Sequence, residues 1–197
     1  MGETRLALSV RPNGLPKMAN PLLGLQRAIG NHATTAMFVQ REFNDNADDF
    51  IKWMLAHGTF ASNSIGQEGA CSDAAKAIGA LLKERGIAHI YRGILGFPPT
   101  THRTLLNRNH FVVVAIVDGK RIVIDPTQGQ FQGGGPQVAS ESNWVTHFKT
   151  LLVRVVVPKE EHVPFQFRYV DGTTFEEANA FASKRGASKE RAGGTDL

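Results

Sequence analysis

The chain predicts an α+β fold, an antiparallel sheet packed against a central helix. Three observations lead there. Helical periodicity dominates the first third of the chain and strand patterns dominate the remainder, which separates helices from sheet along the sequence. An Ala-rich run, Cys71 to Leu82, carries a clear helical apolar face. Two β-branched runs, His110–Val117 and Arg121–Asp125, flank Asp118-Gly119, a strong signal for a tight hairpin. With 197 residues, 42% of them hydrophobic, the chain can bury one domain-sized core.

Taken in order, residues 1–41 read as a flexible leader. It carries a short amphipathic helix with Leu22, Leu25, Ile29, Ala33, Ala36 and Met37 on one side, weakened by Gly24 and Gly30. A domain spans 42–185. Its first helix is capped by Asn44 or Asp45, carries Phe50, Trp53, Met54 and Leu55, and is closed by Gly58. A polar segment over 62–69 leads into the helix that starts at Cys71 and stops at Gly86. Cys71 precedes Ala74 and Ala75 by three and four residues, so it shares their core-facing side. Residues 87–94 form a strand and 95–109 a loop; the hairpin comes next. Gly133-Gly134-Gly135-Pro136 reads as a flap or hinge. A short helix covers 142–149 and a buried strand Leu151–Val157. Phe165, Phe167 and Tyr169 alternate with polar residues as a strand with one wet face. Thr173 or Thr174 caps a last helix ending near Arg185, and 186–197 read as a disordered tail.

Composition narrows the function classes. A lone cysteine excludes an intrachain disulfide framework and a Cys-rich zinc site. No spaced His/carboxylate set argues for a metal, and no cofactor is expected. The net charge of +4 comes from scattered basic residues, which argues against nucleic acid as a partner. No stretch approaches the ~18 apolar residues of a membrane span. No signal peptide is evident, which implies a chain made in the cytoplasm and exported without cleavage of one.

The hairpin supports a geometric argument. With Asp118 and Gly119 as the central turn residues, Val117 pairs with Lys120, His110 falls opposite Thr127, and Asp125 falls opposite Val112. His110 and Asp125 then share a face as diagonal neighbours, roughly 7–8 Å apart and within side-chain reach. A carboxylate there fixes the imidazole tautomer and leaves the other nitrogen for a thiol. A three-residue turn would reverse the parity. Cys71 at a helix N-terminus, with the helix docked on that face, becomes a candidate nucleophile. His110 is then its base and Asp125 the orienting group. Candidate oxyanion donors are the Cys71 backbone N–H, the Gln67 side chain and Asn63. Each residue also has an ordinary structural role: core cysteine, strand-edge histidine, turn-capping Asp before Pro126.

Gln67-Glu68-Gly69-Ala70-Cys71, Asn109-His110-Phe111-Val112-Val113, and Ile124-Asp125-Pro126-Thr127-Gln128-Gly129-Gln130-Phe131 together resemble papain-like toxin domains of bacterial polymorphic toxins. The same order occurs in the glutamine-deamidase domain of the Pasteurella multocida toxin. The resemblance implies a papain-like core with Cys71, His110 and Asp125 as the triad. It also implies a toxin or effector acting on a protein in the cytosol of a target cell. The family holds deamidases and proteases, so glutamine deamidation is the first expectation and peptide cleavage the second. Transglutaminase or acyltransferase chemistry and a non-catalytic interaction module stay open. An immunity protein or chaperone is an expected partner. Upstream, Leu25-Gln26-Arg27-Ala28-Ile29-Gly30-Asn31-His32-Ala33 resembles a motif near the N-termini of proteins linked to extracellular contractile injection systems. That implies loading onto such an apparatus through residues 22–40.

Overall fold

The computed structural model describes residues 46–64, 69–97, 108–157, 159–164, 166–183 and 193–197. The leader, with its expected helix, and Gln67 lie outside the described residues. Asn46, rather than Asn44 or Asp45, caps the first helix, α1 (Ala47–Ala56), by accepting from the Asp49 N–H at 2.8 Å. Gly58 does more than close α1. It opens a second short helix, α2 (Gly58–Asn63), capped by the His57 ring, which runs into the first residues of the expected polar segment. The central helix, α3, runs Cys71–Glu84 and buries Cys71, Ala74, Ala75, Ile78, Leu81 and Leu82, the face its periodicity predicts.

The strands are β1 (His89–Phe97), β2 (Arg108–Val117), β3 (Lys120–Asp125), β4 (Gln137–Ser140), β5 (Leu152–Val157), β6 (Lys159–Pro164), β7 (Gln166–Gly172) and β8 (Thr195–Asp196). Six form an antiparallel sheet in the order β4-β3-β2-β1-β7-β8, while β5 and β6 pair as a separate two-stranded sheet, with Leu152 of β5 also bridged to Gln132. The helices α4 (Glu141–Phe148) and α5 (Phe175–Ala182) complete the set. Thr174 caps α5 with a full capping box to Glu177. Where a disordered tail was expected, Thr195–Asp196 adds to the edge of β7. Among the described residues no helix is long and apolar enough to cross a membrane.

The expected hairpin register is the one found: Val117 faces Lys120 and Val113 faces Ile124. Asp118 and Gly119 both take positive φ, 50° and 67°, so the turn has the two-residue geometry whose twist matches the strands.

The sheet is covered on both faces, which the sequence pattern did not anticipate. Odd-numbered residues of β2, Phe111, Val113, Ala115 and Val117, pack in one cluster with Cys71, Ala75, Ile78 and Leu82 of α3. Even-numbered Val112 and Val114 pack in a second cluster with Trp144 and Phe148 of α4 and with Phe131. By strand alternation His110 and Asp125 belong to the second face. The expectation that α3 docks on the face presenting them is therefore corrected: α3 lies on the opposite face. The cause is legible in hindsight, because β2 is apolar at every position from Phe111 to Val114 and can bury both sides.

Candidate active site

Cys71 opens α3, and Ala70 at the N-cap makes no side-chain cap bond. The helix thus begins with its positive end at the thiol. The start of β2 brings His110 round to it. The His110 side chain, the Phe111 backbone and Gln130 all act on the Cys71 thiol, although the helix and the imidazole sit on different faces of the sheet. The meeting point is the beginning of the strand, where a side chain from either face can reach around its end.

His110 and Asp125 are both fully buried. Nε2 of His110 lies 2.9 and 3.0 Å from the two Asp125 oxygens, so it carries a proton and donates to them. That assigns Nδ1 to the other side, where the Gln130 side-chain amide lies at 2.5 Å; turned over, it presents its oxygen to a protonated Nδ1. The imidazole is boxed by aromatic rings, Phe131 edge-on at 5.1 Å and Phe148 stacked at 5.8 Å. Behind Asp125, Trp144 Nε1 donates to Oδ2 at 3.0 Å.

The electrostatics arise from this packing. Burial pushes His110 down, but the Asp125 carboxylate, accepting its hydrogen bond, and Cys71 together raise it from 6.5 to about 10. Burial pushes the Cys71 thiol up, yet His110 beside it, the Phe111 backbone and Gln130 hold it below its ordinary value of 9.0. Both directions favour a thiolate beside an imidazolium.

Of the expected residues, Cys71, His110 and Asp125 come together. Asn63 does not join them: its Nδ2 donates to the Thr59 carbonyl at 2.8 Å, inside its own helix. Gln67 is not described. Gln130, absent from the expected set, contacts both Cys71 and His110 from the 3₁₀ turn Gln128–Gln130. It lies in the Asp-Pro-Thr-Gln-Gly-Gln-Phe run that carries the family resemblance, but nothing in its spacing alone assigns it a role. Trp144 and Phe148 read as ordinary core residues of a short helix.

Within the triple glycine, Gly134 is closely packed. Gly134 donates to the Phe131 carbonyl at 3.0 Å, and a Cβ there would lie 2.1 Å from the Gln128 carbonyl oxygen. The segment needs glycine to fold closely over the turn that carries Gln130.

A family model described as a dermonecrotoxin of the papain-like fold matches residues 66–192. No curated protein matches the chain in sequence at a significant level. Among solved structures, the catalytic domain of the Salmonella virulence factor SseI is similar. Its TM-score is 0.50 at 18% identity, covering 75% of this chain and 78% of that one. That likeness bears on the fold, and it agrees with the α+β arrangement of helices and antiparallel sheet in this chain. Because the family model spans well over half of the sequence, the chain belongs to the dermonecrotoxins of the papain-like fold.

Proposed function

We propose that this toxin domain is a cysteine-dependent amide hydrolase that acts on a protein of the target cell, with deamidation of a glutamine side chain as its reaction. The observation that carries the reading is the buried chain of contacts from Asp125 through His110 to Cys71 at a helix start. In this mechanism the Cys71 thiolate attacks the carboxamide carbon. The developing oxyanion is met by the first backbone N–H groups of α3 and by the Gln130 amide. Imidazolium His110 gives its proton to the departing ammonia, which leaves a thioester on Cys71. Water, deprotonated by the now neutral His110, hydrolyses that thioester and regenerates the thiol. Asp125 holds the ring throughout.

The leader is proposed to serve delivery, with residues 22–40 read by a contractile injection apparatus. An immunity protein or chaperone would cover the site before delivery.

Mass spectrometry of target-cell protein exposed to the wild-type chain and to Cys71→Ala tests the reaction. A glutamine converted to glutamate in an otherwise intact chain, only with wild type, is the expected result. A new chain terminus would replace deamidation by proteolysis, and identical spectra would remove the enzymatic reading.

A further inference from the structure

The Asp125 carboxylate is fully buried, and among the described residues it has two side-chain donors, His110 Nε2 and Trp144 Nε1. A buried carboxylate with one donor can turn about its side-chain torsion; a second donor from another direction removes that freedom. Trp144 is itself immobilised. It is fully buried and stacks on Phe148 at 4.5 Å and 24°, and Phe148 in turn stacks on His110 at 13°. Gln128, also fully buried, supports the indole. With its amide oriented to satisfy both ends, its oxygen takes the longer share, at 3.2 Å, of the one indole proton that Asp125 accepts at 3.0 Å, and its nitrogen donates to the Gly135 carbonyl and His147 Nε2, each at 3.3 Å. One short helix thus touches both the imidazole and the carboxylate.

We infer that Trp144 is a positioning residue, its indole N–H fixing the Asp125 carboxylate so that His110 keeps Nε2 engaged and its other nitrogen toward Cys71. The inference rests on the reading of Cys71 as a nucleophile activated by His110. It differs from plain packing, since a buried tryptophan needs some acceptor but need not use this carboxylate. The titratable groups facing the pair are Cys71 from α3 and, through Gln128, His147 from α4.

The test is the rate of Cys71 alkylation by iodoacetamide against pH, measured on the full chain for wild type and Trp144→Phe, beside thermal unfolding of each. An untethered Asp125 turns off Nε2, His110 loses charge, and the thiol moves back up. The Trp144→Phe profile is therefore displaced about one pH unit to higher pH, about tenfold slower near neutrality. An unmoved profile, with or without a lowered unfolding midpoint, makes Trp144 packing only and overturns the inference. A wild-type profile matching that of an ordinary thiol overturns the parent reading, and this inference with it. A second measurement does not depend on that variant folding. In proton–nitrogen NMR spectra, with Trp53→Phe for assignment, the Trp144 indole proton moves upfield in Asp125→Asn while that of Trp53 stays. No movement overturns the inference.

Discussion

Cys71 and His110 shift in opposite senses because each sits among groups that favour its charged form: Asp125 first and then Cys71 for the imidazole, His110 first and then the Phe111 backbone and Gln130 for the thiol. For His110 the folded value is raised, so its contribution to stability is complete below its ordinary 6.5 and is lost as pH rises toward about 10. Asp125→Asn removes the charge that supports it. The stability gap between wild type and this variant, tracked by thermal unfolding, is accordingly widest near pH 6.5 and closes as pH approaches 10. In the proposed reaction the same substitution lowers kcat by about 10³ to 10⁴, as loss of a triad's orienting acid does elsewhere. A steady-state assay on the identified substrate checks this. Reading the His110–Asp125 pair from sequence was possible because a two-residue turn fixes parity: once Asp118-Gly119 is the turn, Asp125 and His110 must share a face. Gln130 escaped because a 3₁₀ turn has no register to extrapolate. Trp144 escaped because its hydrogen bond depends on how a helix docks.

Among the elements, the loop after β3 shapes the site as much as the strands do. Gly134 lies where any Cβ would strike the Gln128 carbonyl. Gly134→Ala forces that turn outward, displaces Gln130 from Cys71 and His110, and slows Cys71 alkylation without unfolding the sheet. Circular dichroism and iodoacetamide kinetics together report it. In α5, Thr174→Ala removes the capping box and destabilises by about 1 kcal/mol, measurable by urea unfolding. Helices were legible from an apolar face closed by Gly86 in α3 and from a Thr cap in α5. The face on which α3 docks was not, because a strand apolar at consecutive positions offers two equivalent sides, and only the packing of the other helices decides between them.

Across the whole molecule, the second face of the sheet is tied together by a charge cluster built on a buried arginine. Arg92 of β1, fully buried, donates through Nε to Asp171 of β7 at 2.7 Å and pairs with Glu141 at the start of α4. Arg121 of β3 joins the same two carboxylates, and the Arg92 guanidinium lies 3.9 Å over Tyr169. The cluster anchors α4, whose other residues support His110 and Asp125. Arg92→Ala leaves Asp171 and Glu141 to Arg121 alone and costs about 2 kcal/mol in chemical denaturation. Composition excluded several chemistries, but partners 49 and 79 residues apart in sequence gave no local sign of this cluster. One thiol, held by these buried contacts, is the proposed source of the toxin's effect. The most direct test is the viability of bacterial and eukaryotic cells expressing the wild-type chain or Cys71→Ala at matched levels, with the variant shown to fold. The account predicts that wild type is toxic in at least one host and that Cys71→Ala is harmless there; equal toxicity of the two would contradict it.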